Sequence, residues 1–499
     1  MLAIWLVAII VFLQLLYSKV TSLWVKNPLP GPKGWPIIGC LFEIEPNRLH
    51  FSFDRWANKF GPLMLCRTPT ANMVVISCPR MAKKAFTDKS YSNVLNDRPD
   101  IFFAKYIMDN AKGVIFSKYG ESWSHLRKIM YKGLAMYGDG VHRFETLAAK
   151  ELERLRQSII DQVDRDFDPT ETLSRSVANV IVILLTGSMV DESDSELIWK
   201  YNNSVNDTVI VTTEVMLTMF PFLRFMPVET GRRYRRTIDA KKKLLGKFFI
   251  LQKETYTPGL ERGLVDVLFK LQEQENRNGG KKWLTDSQIK AFIQDVIFAG
   301  IITTRNGILC ILLVLLRHHE CIDGIYEEIV KVVGLDRYPS VQDRSSMPYT
   351  EAVILEALRY ITHAPIGVPH CATKDVEFEG YTIPKHATIL INIWTIHHDP
   401  AIWGDPWTFR PERFLDENGE LLPAEHTLRQ SVMTFGSGKR NCIGENMARS
   451  RFFLFVTTLI QKFDLLPPEV GTLPSDDPRT FIPGASLRPQ YFKMRANPR

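Results

Sequence analysis

The segment Phe435 to Gly444, FGSGKRNCIG, sets three glycines and two cations around one cysteine within ten residues. Cys442 stands just before an apolar, helix-forming run, ENMARSRFFLFVTTLI. A helix N-terminus offers unpaired N–H groups and partial positive charge. A thiol placed there ionises more readily, and Lys439 and Arg440 push the same way. Gly436, Gly438 and Gly444 remove side-chain bulk and permit positive φ, so the backbone can approach something large and flat. The chemistry this predicts is metal ligation by a thiolate, and haem iron is the metal such a loop suits.

Other chemistry-bearing pairs precede the cysteine. Glu356 and Arg359 are spaced i, i+3 and share a helix face. Arg413 follows in FRPERF, and Trp123 and Arg127 are spaced i, i+4. Together with FGSGKRNCIG, these motifs resemble the cytochrome P-450 family over essentially the whole chain, in its animal microsomal branch that oxidises steroids, fatty acids and foreign compounds. The resemblance implies a mainly α fold with a minor β region, in which one long central helix crosses the haem. It implies haem b (iron protoporphyrin IX) with Cys442 as axial ligand and metal-binding residue. Phe435, Gly436, Gly438 and Gly444 shape the ligand loop. Arg440, Arg127, Trp123, His370 in PIGVPH and Arg98 hold the haem edge. Glu356, Arg359 and Arg413 form a structural charge network.

The resemblance also marks an oxygen side. Phe298-Ala299-Gly300-Ile301-Ile302-Thr303-Thr304 matches the segment that crosses the distal haem face. Ala299 and Gly300 leave room for dioxygen and substrate, and Thr303 matches the hydroxyl that helps deliver protons. A threonine bonding back to a carbonyl one turn earlier is the plainer reading of that hydroxyl. Ile302 departs from the family pattern, which has Asp or Glu there. An isoleucine cannot relay a proton. Arg305 is a second departure and is expected to face away from the haem. Phe103, Phe116, Val211, Phe298, Ile301, Ile302, Ile366 and Val368 are the candidate lining of an apolar substrate pocket.

The implied activity is insertion of one oxygen atom from O2 into a lipophilic substrate. Electrons come from NADPH through the flavins of a cytochrome reductase, with cytochrome b5 as a further partner; Lys128, Lys132 and Lys439 could dock an acidic reductase. Two alternatives stay open: a haem-thiolate isomerase or dehydratase acting on a hydroperoxide or endoperoxide without reductase, and a non-catalytic haem protein that binds a lipid or a gas.

These residues need elements to position them. Residues 62–78 read as two short strands around a turn. From about 80 to 275 the pattern is amphipathic helix, with loops at 96–99 and around 138–140. Thr285-Asp286-Ser287-Gln288 is a capping box opening a long apolar helix over 286–317. Further helices are expected over 349–361 and 445–463, with turns and short strands over 364–396.

The chain of 499 residues carries 62 basic and 55 acidic side chains. No basic motif interleaved with aromatics points to nucleic acid. The basic run Arg232 to Lys243 reads either as a solvated helix face or as a surface meeting acidic lipid or protein. Seven scattered cysteines with no CxxC pair argue against a structural zinc site or a disulfide framework, so most are expected as small buried side chains in a reducing compartment. Residues 1–18 contain no charged side chain, and 18 helical residues span about 27 Å, near the thickness of a bilayer core. The predicted organisation is a transmembrane anchor over 1–20, a basic, proline-rich hinge over 21–36 and a catalytic domain over 37–499. Lys19, Lys26 and Lys33 place that domain in the cytosol, and the resemblance implies a single-pass protein of the endoplasmic reticulum. MLTMFPFLRFMP, residues 216–227, is expected to dip into the membrane as a substrate entry.

Overall fold

The computed structural model describes residues 27–499 apart from 37, 46, 140, 190 and 210. The expected anchor and residues 21–26 of the hinge therefore lie outside the described residues, as does the side chain of Val211. The chain folds into two compact units, each assembled from three stretches.

The first unit holds the described residues up to Asp100, with Pro365–Gly404 and Phe435–Cys442. Helix α1 (Leu49–Phe60) is followed by β1 (Leu63–Arg67) and β2 (Asn72–Ile76), the expected strand pair. β3 (His370–Cys371), β4 (Val376–Phe378), β5 (Tyr381–Ile383) and β6 (Thr388–Ile391) come from the later stretch. One sheet has the order β1-β2-β6-β3, with β2 and β6 parallel and the other pairs antiparallel. Val74, Val75, Ile76 and Ile389 are fully buried, so the β-branched side chains fill both faces. His370 is thereby fixed at the sheet edge opposite Ile389. This unit also holds helices α2 (Pro79–Thr87) and α3 (Lys89–Leu95).

Cys40 and Cys66 pair as a disulfide inside the cluster of Phe53, Trp56, Met64 and Val75, where the sequence predicted separate thiols. The physical reason is local: the Cys40 N–H donates to the Arg67 carbonyl at 2.8 Å and lays this segment beside β1.

The second unit is helical. It contains α4 (Glu121–Asp139), α5 (Val141–Ile160), α6 (Pro169–Thr186), α7 (Glu192–Val209), α8 (Glu229–Leu245), α9 (Leu264–Arg277), α10 (Asp286–Arg317), α11 (His319–Val332), α12 (Pro348–Ile361) and α13 (Glu445–Lys462). Helix α6 shows why these boundaries form. Asp168 accepts from the Thr170 N–H at 2.8 Å, Pro169 occupies the first turn, and Gly187 ends the helix at φ 69°.

Helix α10 starts at the predicted capping box. It is long and apolar enough to cross a membrane, yet 83% of its most apolar window is buried by the protein. A helix apolar all round needs such a coat, and α6, α7, α12 and α13 supply it. The loop expected around 138–140 is shorter than predicted, because α4 continues through Gly138 and Asp139. A two-stranded sheet of β7 (Phe463–Leu466) and β8 (Arg495–Pro498) was not anticipated.

The basic run on α8 is less naked than its sequence suggests. Glu229, just upstream, pairs with Arg232, Arg233 and Arg236 at 3.0–3.1 Å. Lys241 is buried on Asp109 (2.7 Å) and the Ile107 carbonyl (2.8 Å). Ahead of α8, Phe220, Phe222, Phe225 and Met226 stand exposed.

Candidate active site

In the first unit, residues 435–442 form a tight loop. Gly436 and Gly438 take φ of 73° and 74°. A Cβ on Gly438 would stand 2.2 Å from the Phe86 carbonyl oxygen of α2, so the loop lies against that helix only without a side chain. The Cys442 N–H donates to the Phe435 carbonyl at 2.8 Å, closing the loop. Outside the Cys40–Cys66 pair, Cys310, Cys321 and Cys371 are buried and Cys78 is half-buried, whereas Cys442 is exposed. Gly444 departs from expectation: its φ is −95° and an added Cβ would meet nothing. It caps α13 rather than supplying positive φ.

Three of the expected haem-edge residues converge in the same unit. Arg440, 8% exposed, donates through Nε to the Asn96 carbonyl at 3.0 Å. Arg98 donates through Nη1 to the carbonyls of Val368 and Pro369 at 3.0 and 2.7 Å. His370 lies on the Phe86 ring, centroids 4.1 Å apart. Burial, followed by the charges of Arg98 and Arg440, drives its pKa well below the usual histidine value. It is therefore a neutral imidazole, and its buried Nδ1 has no hydrogen-bond partner among the described residues. Two cations, an unsatisfied ring nitrogen and an exposed thiol on a glycine-shaped loop fit a flat, anionic, iron-bearing group such as haem.

The second unit carries the remaining candidates. Trp123 and Arg127 stack on α4, with the guanidinium carbon 5.7 Å from the ring centroid. The Trp123 indole N–H donates to the Val114 carbonyl at 3.1 Å. Its one donor is thus spent on the protein.

Glu356 and Arg359 form a bidentate pair, both bonds 2.7 Å, and Arg413 Nε reaches Glu356 at 3.0 Å. The Arg410 N–H donates to the same carboxylate. The arginines donate onward to the carbonyls of Pro406, Asp405 and Thr408. A buried ion cluster tolerates such desolvation only when its lone pairs and protons are this fully used. The three side chains form one buried, fully bonded network.

Helix α10 exposes one stripe. Ala299 is exposed and Val296, Gly300 and Thr303 are half-buried, while most of their neighbours are buried. The spacing i, i+3, i+4, i+7 makes these one helix face. On its other flank an added Cβ at Gly300 would meet the terminal Cδ1 of Ile181 at 2.6 Å, which that side chain would have to turn aside to admit. Thr303 Oγ1 donates to the Ala299 carbonyl at 2.5 Å, the plainer bond foreseen for it. Its oxygen lone pairs remain available as acceptors on the open stripe.

Ile301 and Ile302 are 1% and 3% exposed. They pack into the core, so from this helix the open face comes from the stripe and not from these two. Arg305 turns away as expected: it pairs with Asn306 (2.7 and 3.0 Å) and lies over Trp199, and burial lowers its pKa to about 10. Phe103, Phe116 and Phe298 form an aromatic cluster with centroids 5.4–5.6 Å apart. Ile366 and Val368 lie in the first unit, half-buried and exposed.

Sequence reading missed Asp295. This carboxyl, one acid within an apolar helix, accepts from the N–H groups of Val114 (2.5 Å) and Ile115 (3.1 Å). Burial raises its pKa to about 7. It fastens the loop that follows Phe103 onto α10, and the lone acid in so apolar a run was the available signal.

The comparisons agree with this geometry. The cytochrome P450 family model matches residues 29–495. A steroid 17-alpha-hydroxylase/17,20 lyase of Ictalurus punctatus is 29% identical over 98% of this chain and 95% of its own. That of Felis catus is 30% identical over 92% of each, and a cytochrome P450 1A1 of Opsanus tau is 31% identical over 92% of this chain and 90% of its own. A zebra fish cytochrome P450 structure with progesterone aligns with TM-score 0.78 at 25% identity, covering 90% of this chain and 99% of that one. The chain belongs to the cytochrome P450 family and is a haem-thiolate monooxygenase.

Proposed function

We propose that the protein is a membrane-anchored monooxygenase of lipophilic substrates, with steroids the first class to test. It works on the endoplasmic reticulum, facing the cytosol and drawing electrons from NADPH through a reductase. The similarity to steroid hydroxylases supports the substrate class. The observation that carries the reading is the exposed Cys442 on its glycine-shaped loop beside Arg98, His370 and Arg440.

Bound haem would supply reversible reduction and oxygen activation, which thiolate ligation favours. The chain's own residues do the rest. Cys442 would hold the iron through its sulfur. Arg440, Arg98 and Arg127 would neutralise the carboxylates of the ring, with neutral His370 beside Arg98 and Arg440. The small side chains at Ala299 and Gly300 leave space along α10. Thr303 orients a water through its free lone pairs, and that water is the proton source in place of an acid at 302. Half-buried Phe298, with Phe103 and Phe116 packed against it, presents an apolar wall to the substrate. The exposed Phe220–Met226 segment sits at the lipid surface and admits apolar compounds.

The test is a spin-state titration of the purified protein with steroid, fatty-acid and drug-like panels, followed by turnover with reductase and NADPH. Steroid-induced shifts with hydroxylated product are expected. Shifts confined to another panel would reassign the substrate. The lack of an acid at Ile302 favours one second reading: conversion of a hydroperoxide with no reductase present would establish isomerase chemistry. Cys442→Ser is expected to abolish the thiolate form of the ferrous–CO spectrum, and an unchanged spectrum would remove the ligand assignment.

A further inference from the structure

Helix α13 buries a charge that no other charge among the described residues answers. Arg451 is 5% exposed. Among the described residues its one hydrogen-bond partner is the Gly300 carbonyl of α10, 3.5 Å from a terminal nitrogen. Its Nε and Nη2, the edge with which arginine grips a carboxylate side-on, have no partner. Burial alone lowers its pKa, to about 10, so it stays charged at neutral pH.

The other buried arginines of this unit differ. Arg359 and Arg413 share Glu356. Arg305 has Asn306 and the Trp199 ring. An unanswered buried guanidinium costs folding free energy, and an apolar side chain of similar volume is often neutral or stabilising in such a place. The fold therefore gives no reason for Arg451. Its location gives one. The carbonyl it faces belongs to the turn carrying Ala299 and Thr303, and the residue before Thr303 is Ile302, which relays no proton.

We propose that Arg451 is a positioning residue of the oxygen-side helix, holding the Gly300 carbonyl and keeping a fixed positive charge behind the Ala299–Thr303 turn. In a low-dielectric core such a charge acts over several ångströms with little screening. It stabilises negative charge developing on the open face of the turn and acidifies a water held by Thr303. A fixed cation thus does electrostatically part of what a carboxylic acid at 302 would do by proton transfer. This rests on the haem-thiolate reading.

The test uses haem-loaded full-length protein carrying Arg451→Met or Arg451→Lys. Three readouts are needed: thermal unfolding, the haem reduction potential, and peroxide released per NADPH consumed with purified reductase. Arg451→Met is expected to keep the thiolate ferrous–CO band and to unfold at the same temperature or higher. Its potential should become more negative, and its peroxide fraction should rise several-fold. Arg451→Lys, which keeps the charge, should lie near the native protein in the last two readouts. An Arg451→Met protein with unaltered potential and peroxide fraction would overturn the proposal. So would one that fails to fold or hold haem, since the charge would then serve stability. A native protein lacking the thiolate band would instead bring down the haem-thiolate reading itself.

Discussion

The Cys442 loop and the Thr303 turn are built by opposite means. The loop is held by backbone: two glycines at positive φ, an N–H to carbonyl closure, and contact with α2 that excludes even a methyl group. The turn is held by side chains. A threonine bonds back to its own helix, a small residue opens the face, and isoleucines pack the far side. A site made of backbone tolerates almost no change of residue type, which makes its motif specific. A site made of side chains can exchange one, as at Ile302, and keep the same helix while altering its chemistry.

Substitutions should separate the two. Gly438→Ala is expected to have the largest effect, because it adds a clash to a left-handed backbone. A loss of roughly 1–3 kcal/mol is expected, with most haem released, measured by thermal unfolding and haem content. Gly444→Ala is the control and should be nearly silent; equal damage at both positions would erase the distinction between φ-demanding and capping glycines. Thr303→Ala should leave stability within about 1 kcal/mol yet raise peroxide per NADPH several-fold. A large drop in unfolding temperature there would mean the turn, like the loop, is structural.

The last effect concerns pH. The Asp295 carboxyl is raised by burial from 3.8 to about 7, so the folded protein holds that proton more tightly than the unfolded chain. Its contribution to stability is full below about pH 4 and is lost as pH rises toward about 7. Glu151, also raised to about 7 by burial, adds to the same slope. Asp295→Asn should flatten the fall in unfolding temperature across that range. An unchanged slope would mean that Asp295 titrates normally.

The contrast also explains what could be read before the structure. Strands 62–78, the capping box at Thr285 and the Glu356–Arg359 pair were legible because each has a local signal: alternation, a cap, or a spacing; Arg413 joined that pair only through the family resemblance. The continuation of α4 through Gly138 was not, because tertiary packing overrides the low helix propensity of one glycine. The pairing of β7 with β8 joins residues about 30 apart, and no local pattern announces it. In the site, Cys442 and its glycines were plain. Asp295 and Arg451 were not, since their meaning lies in what does or does not surround them.

The division of the chain into two units has a temporal consequence. The first unit begins before Asp100 but is completed by residues 435–442, after more than 260 intervening residues of the other unit have been made. During synthesis its early sheet must wait, half-assembled, for strands and a ligand loop that leave the ribosome much later. Long-range closure of this kind is slow and leaves apolar edges uncovered in the meantime. Premature termination anywhere before residue 442 should therefore yield a nascent product that cannot capture iron porphyrin and depends on chaperones to stay in solution.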